Sequence, residues 1–179
     1  MNDDFDELYQ FINKNKFVNY IVIGEYSSGK SFTLNNIIGY NLYLLTGGPQ
    51  ETTSHAFIIR NSKFINLYEA VLVKNQFGYY FNKTTIIASG KENVTEKIKE
   101  LNLNKKEFSY YILETPIQMF ENITLPQEII NSIELIDYPG LQTKKAEKLN
   151  LQNTALFSKD LIDGFFFVAL PTSNKMNYM

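Results

Sequence analysis

The sequence predicts a three-layer α/β/α fold around a mixed, mostly parallel sheet. Three observations carry that reading. Phe17 to Ile23 (FVNYIVI) is a short, nearly continuous apolar run, as a strand buried on both faces of a parallel sheet requires, and it ends at a glycine. A loop bearing glycine and serine follows and opens into a helical stretch, Lys30 to Ile38. Far along the chain, Ser132 to Gly140 (SIELIDYPG) is a second apolar strand running into an acidic turn. Strand, glycine-bearing loop and helix in that order are the opening of an α/β domain.

Ahead of the first strand, Phe5, Leu8, Tyr9 and Ile12 stand at i, i+3, i+4 and i+7, with Asp3, Asp4, Asp6 and Glu7 in the first turn. That spacing predicts an amphipathic helix as a separate unit over 1–16, with 17–179 forming one domain. Gly39 is the expected C-cap of the helix begun at Lys30. Residues 40 to 55 hold many turn-formers and predict a loop; Ala56 to Arg60 and Phe64 to Val73 read as strands. Asn75 to Gly78 should turn the chain into a short strand at Tyr79 to Phe81. Asn93 is placed to cap a helix carrying Val94, Ile98 and Leu101. Phe108 to Ile117 and Ile133 to Ile136 read as further strands, Glu147 to Ile162 as mostly helical, and Phe165 to Leu170 as the last strand.

Composition removes several function classes. With 17 Lys+Arg against 19 Asp+Glu the net charge is -2, so no basic excess is available to displace counterions from nucleic acid, and no nucleic-acid partner is expected. The chain has no cysteine, which excludes disulfides, thiolate zinc sites and thiol nucleophiles, and its single histidine, His55, leaves no room for a two-histidine metal site. The amino terminus, MNDDFDELYQ, is acidic and lacks an apolar core, so the expected compartment is the cytoplasm, peripheral to a membrane at most. The apolar run at Gly164 to Leu170 (GFFFVAL) is roughly a third of the ~20 residues a membrane-spanning helix needs.

The chemistry sits in the first loop. Gly24, Glu25, Tyr26, Ser27, Ser28, Gly29, Lys30 and Ser31 spell GxxxxGK[ST] between a buried strand and a helix start, the context a phosphate-binding P-loop demands. Its glycines let the backbone N–H groups face inward on the phosphates, and the helix N-terminus adds a favourable dipole. Lys30 would reach the β- and γ-phosphates and the Ser31 hydroxyl would ligate Mg²⁺. Phe32, one residue on, is counted with the nucleotide-binding residues.

A second element fits the first. Asp137 followed by Pro139-Gly140 is an acidic DxPG motif at a strand end, where Asp137 can hold Mg²⁺ through water and the Gly140 N–H can meet the γ-phosphate. Alone, DxPG is also an ordinary turn; in order after a P-loop it is specific. Between the two lies Glu51-Thr52-Thr53-Ser54-His55, where a threonine is expected to close over Mg²⁺ and fix the attacking water. Thr53 is the first candidate and Thr52 the second. His55, a lone histidine in a polar loop, is expected at the surface.

These residues carry a family resemblance. GEYSSGKS, then GYNLYLL, a threonine-bearing switch, a long insertion ending in ETPIQMF, and a strand into LIDYPGL together resemble the N-terminal part of the G domain of a dynamin-superfamily large GTPase, over nearly all of residues 1 to 171. The resemblance implies binding of GTP and GDP, Mg²⁺ as cofactor, hydrolysis stimulated when two G domains associate, and membrane remodelling through segments outside this chain. It puts Ser27, Lys30 and Thr53 in catalytic roles and Ser31, Thr53 and Asp137 around the metal. Tyr26 falls where the dynamins proper carry a glutamine, which marks a divergent branch.

The same family reads guanine with [NT]KxD, which does not follow the strand at Phe165 to Leu170; Asn174-Lys175-Met176-Asn177 lacks the aspartate. The sequence is therefore expected to stop before the guanine-recognition strand, as a partial G domain. Two other readings stand beside the GTPase: a non-hydrolysing nucleotide-binding or interaction fragment, and a P-loop enzyme of another kind such as an ATP-using kinase. The last is disfavoured by the single arginine, Arg60, since such kinases clamp phosphates with several.

Overall fold

The computed structural model describes residues 17–24, 28–39, 43–44, 53, 55–76, 78–103, 108–139 and 161–169. Runs rich in Val, Ile and Tyr form the strands β1 (Val18–Ile23), β2 (Ala56–Asn61), β3 (Asn66–Asn75), β4 (Gly78–Ser89), β5 (Tyr110–Thr115), β6 (Ile133–Asp137) and β7 (Gly164–Phe167). Between them lie the helices α1 (Lys30–Ile38), α2 (Lys91–Leu103) and α3 (Gln127–Ser132), and a 3₁₀ turn at Gln118–Phe120.

The sheet has the order β4-β3-β5-β2-β6-β1-β7. It is mixed, as expected. β1 runs parallel to β6 and β7, and β2 parallel to β5, while β2 is antiparallel to β6, β5 to β3, and β3 to β4. Two registers place the functional loops. β1 pairs Val22 with Asp137, so the loop leaving β1 and the end of β6 emerge at the same edge. Because β2 runs the other way, Phe57 also sits beside Asp137, which brings the start of β2 and the residues before it to that edge.

Alternation along the strands makes two cores. Val22, Phe57, Ile59, Leu113 and Leu135 point to one face, where Leu34 and Ile38 of α1, Val94 and Ile98 of α2 and Ile130 of α3 pack on them. Ile21, Ile58, Ile112, Ile136 and Phe81 point to the other, with Tyr138, Leu161 and Ile162. All three described helices thus lie on one face. Residues 1–16, for which the sequence predicts a helix, lie outside the described residues, as does 147–160 of the mostly helical stretch predicted from Glu147 to Ile162; Leu161 and Ile162 at its end are turn and irregular chain, not helix.

α1 keeps its predicted bounds. Gly39 ends it at φ 89, with its N–H donating to Asn35 O at 2.8 Å, and a Cβ there would overlap the Gln118 side chain, so both backbone and packing demand glycine. Other expectations need correction. The strand predicted at Tyr79 to Phe81 extends to Ser89, because β4 stays paired with β3 along nearly its whole length while polar side chains such as Asn82 and Thr84 face solvent. Asn93 is not an N-cap: α2 begins at Lys91, directly after Gly90, and Asn93 lies inside it with Nδ2 donating to Ser89 O at 3.0 Å. Phe64, predicted as strand, stands in a bend and is exposed. α3 had no readable signal, being only six residues long and running straight into β6.

Candidate functional site

At the edge where β1, β6 and the start of β2 meet, side chains from three distant segments converge. Gly24 follows β1 at a point where a Cβ would overlap the Val168 carbonyl oxygen and come within 2.6 Å of Ser28 Oγ, so the chain can leave the sheet there only as glycine. Gly29 leads into α1 in a left-handed conformation, and the first-turn N–H groups of that helix face the loop without intrahelical partners. Lys30 is buried on the first turn and its Nζ donates to Gly24 O at 3.3 Å, folding the ammonium back over the loop. Burial pushes the Lys30 pKa down, and the nearby Asp137 carboxylate opposes that shift.

Ser31 is the hub. Its hydroxyl donates to Asp137 Oδ2 at 2.9 Å and lies 3.1 Å from Thr53 Oγ1. Asp137 is 0% exposed and its Oδ1 has no hydrogen-bond partner among the described residues. Burial raises its pKa to about 6, against the opposing pull of the Ser31 hydrogen bond, the Lys30 charge and the Thr53 hydrogen bond. A buried carboxylate with an open oxygen, flanked by two hydroxyls, is a hard-oxygen donor set that suits a small divalent cation, whose charge would hold the carboxylate ionised. Among the described residues no cluster of three His, Asp or Glu side chains could hold a metal, so a cation here would depend on these hydroxyls and on oxygens brought by a ligand. The donor set therefore fits Mg²⁺ in company with phosphate.

The structure thus brings together Gly24, Ser28, Gly29, Lys30, Ser31, Thr53 and Asp137 from the residues read in the sequence. Phe32 projects from the same helical turn and is 59% exposed. Glu25, Tyr26, Ser27, Thr52 and Gly140 lie outside the described residues.

Two residues at this edge carry structural roles that the sequence reading did not foresee. His55, expected at the surface, is 3% exposed: Nε2 lies 3.0 Å from Leu101 O and the ring meets Tyr111 edge-on at 5.4 Å. The polar loop before it hid the fact that β2, buried throughout its first five residues, begins immediately after. Asn35, on the buried face of α1, holds the backbone of Leu44 with both ends of its amide, Nδ2 donating to Leu44 O at 2.8 Å and Oδ1 accepting from Leu44 N at 3.1 Å. It anchors the chain soon after α1, on the way to Thr53. A polar residue between the apolar Leu34 and Ile38 was its only signal.

The family model described as the dynamin family matches residues 21–169. No curated protein matches the chain. Two solved structures, both described as an oligomerised bacterial dynamin pair that provides a mechanism for the long-range sensing and tethering of membranes, are similar at 22% identity. The similarity covers 90% of this chain, with TM-scores of 0.45 and 0.43. This chain spans 22% of the length of each.

Proposed function

We propose that this chain, which belongs to the dynamin family, carries the phosphate- and metal-binding half of a GTPase site, binding GTP with Mg²⁺ and hydrolysing it to GDP and phosphate. The observation that carries the reading is the meeting of Ser31, Thr53 and Asp137 around one buried hydroxyl, beside a lysine folded over a glycine loop. These are the parts that phosphoryl transfer needs, since it relies on positioning and charge neutralisation more than on covalent chemistry by the protein.

In this reading the α1 N-terminus and the loop from Gly24 to Ser31 cradle the phosphates, and Lys30 turns from Gly24 O toward the β- and γ-phosphate oxygens. Ser31 and Thr53 would ligate Mg²⁺ through their hydroxyls and Asp137 would hold it through water, and the charge neutralisation that phosphoryl transfer needs would be supplied there. Thr53 also fixes the water that attacks the γ-phosphorus as the bond to the β–γ bridging oxygen breaks and GDP leaves. Ser27 assists from the P-loop, Glu25, Tyr26, Ser28 and Phe32 line the nucleotide, and the Gly140 N–H meets the γ-phosphate.

Family membership supports self-association through G domains and action at a membrane. Among the described residues no helix is long and apolar enough to cross a bilayer. The test is titration of a fluorescent GTP analogue with and without Mg²⁺, alongside phosphate release. Mg²⁺-dependent binding and release above the buffer rate are expected; no binding in either condition overturns the proposal.

A further inference from the structure

We infer that His55 is a positioning residue for Thr53, and that through it the C-terminal turn of α2 holds the switch threonine against Ser31. The inference rests on the reading of Thr53 given above. Leu101 lies in the last turn of α2, where carbonyl groups have no intrahelical N–H to accept from. Its oxygen stands 3.0 Å from His55 Nε2. A carbonyl only accepts, so Nε2 carries the proton and donates, fixing the tautomer. The same ring is set edge-on against Tyr111 of β5, at 5.4 Å and 88°. Next in the chain, the Ala56 N–H donates to Ser109 O at 3.1 Å and begins the pairing with β5. His55 is therefore fixed by a helix end, a ring and a strand start at once.

Thr53 is two residues away, so its Cα lies within about 7.6 Å of the His55 Cα, twice the spacing of consecutive Cα atoms. Its hydroxyl is the group 3.1 Å from Ser31 Oγ. On one side the threonine hydroxyl meets the P-loop serine; on the other the chain runs within two residues into a ring tied to Leu101 O and packed on Tyr111. A polar loop leading to a phosphate site would ordinarily be free to move on its own. Here its far end is tied to the β3-β4-α2 segment, and displacement of α2 would be transmitted to the metal-ligating hydroxyl.

The test uses His55→Phe, which keeps ring packing on Tyr111 and removes the donor, and His55→Gln, which keeps a donor for Leu101 O. GTP turnover, GDP affinity and the amide hydrogen exchange of the peptide containing Thr53 are measured in the whole chain. Turnover of His55→Phe should fall tenfold or more with GDP affinity within twofold. The Gln variant should recover most of the loss. On a Thr53→Ala background His55→Phe should cost nothing further, because its effect runs through the missing hydroxyl. Exchange at Thr53 should rise in His55→Phe even without nucleotide. An equal further loss on the Thr53→Ala background overturns the inference, as does unchanged Thr53 exchange in His55→Phe. If the wild-type chain has no turnover the functional reading fails, and the exchange comparison alone still decides whether His55 holds Thr53.

Discussion

Ser31 Oγ and Asp137 Oδ2 are 2.9 Å apart although 106 residues separate them in the chain. The parallel β1–β6 register sets Asp137 level with Val22 at the end of β1, and the first turn of α1 meets the end of β6 there. Asp137 is consequently a fully buried carboxylate whose burial raises its pKa to about 6. Asp137→Asn keeps its volume and removes the charge, and should abolish most of the Mg²⁺ dependence of GTP affinity. A titration with and without Mg²⁺ should show at least a tenfold Mg²⁺ effect in the wild type, worth about 1.4 kcal/mol, and little in the variant.

Lys30→Ala removes the ammonium that now donates to Gly24 O and, in the proposed complex, faces the β- and γ-phosphates. GTP affinity should fall by a hundredfold or more, about 2.7 kcal/mol. The chain should remain folded, since a buried cation that burial already disfavours is being removed. Fluorescent-nucleotide binding and a thermal melt together check both parts.

Thr53→Ala should lower kcat at least tenfold and leave GDP affinity within a factor of two, because a switch threonine engages the γ-phosphate and water chiefly in the closed state. The Thr53 hydroxyl lies 3.1 Å from Ser31 Oγ. Thr52→Ala, measured beside it, should leave turnover nearly unchanged.

Glu134 predicts a pH effect opposite to that of most paired carboxylates. It faces Arg60 across the β2–β6 pairing and accepts from Arg60 Nε, while Arg60 also donates to Phe81 O at 2.8 Å and stacks over the Phe17 ring. Burial nevertheless outweighs the Arg60 charge and hydrogen bond and the more distant Lys83, raising the Glu134 pKa from 4.5 to about 7. With the folded value above the unfolded one, the native state binds more protons between them, so this group's contribution to stability falls as pH climbs from about 4.5 to about 7. Urea midpoints across that range should show the decline in the wild type and a flatter profile in Glu134→Gln.

Gly39 and Gly90 both have positive φ, at 89 and 80, but differ in surroundings. A Cβ at Gly90 meets nothing within 4 Å, whereas one at Gly39 would overlap Gln118 Oε1 and lie 2.5 Å from the Gln118 Cβ. Gly90→Ala should cost only the left-handed backbone penalty, about 1–2 kcal/mol. Gly39→Ala should cost more, and adding Gln118→Ala should return only part of the difference, because the Gln118 Cβ remains. Chemical denaturation of these three variants beside the wild type measures this.

The sequence by itself determined the local pieces. The P-loop lies in eight consecutive residues bounded by a buried strand and a helix, and glycines before and after α1 mark where that helix starts and stops. Short apolar runs likewise placed β1, β2, β5 and β6 to within a few residues, because strands buried on both faces read as near-continuous apolar stretches. Only the tertiary structure decided the neighbours. Periodicity says which way a residue faces and nothing about which strand lies beside it, so neither the sheet order nor the reversal of β2 against β6 could be read. That reversal brings Thr53 to Asp137, buries His55 beneath the end of α2 and pairs Arg60 with Glu134. Each of those contacts joins residues that no local pattern connects, and each exists because burying both faces of the central strands costs less free energy than leaving them in water.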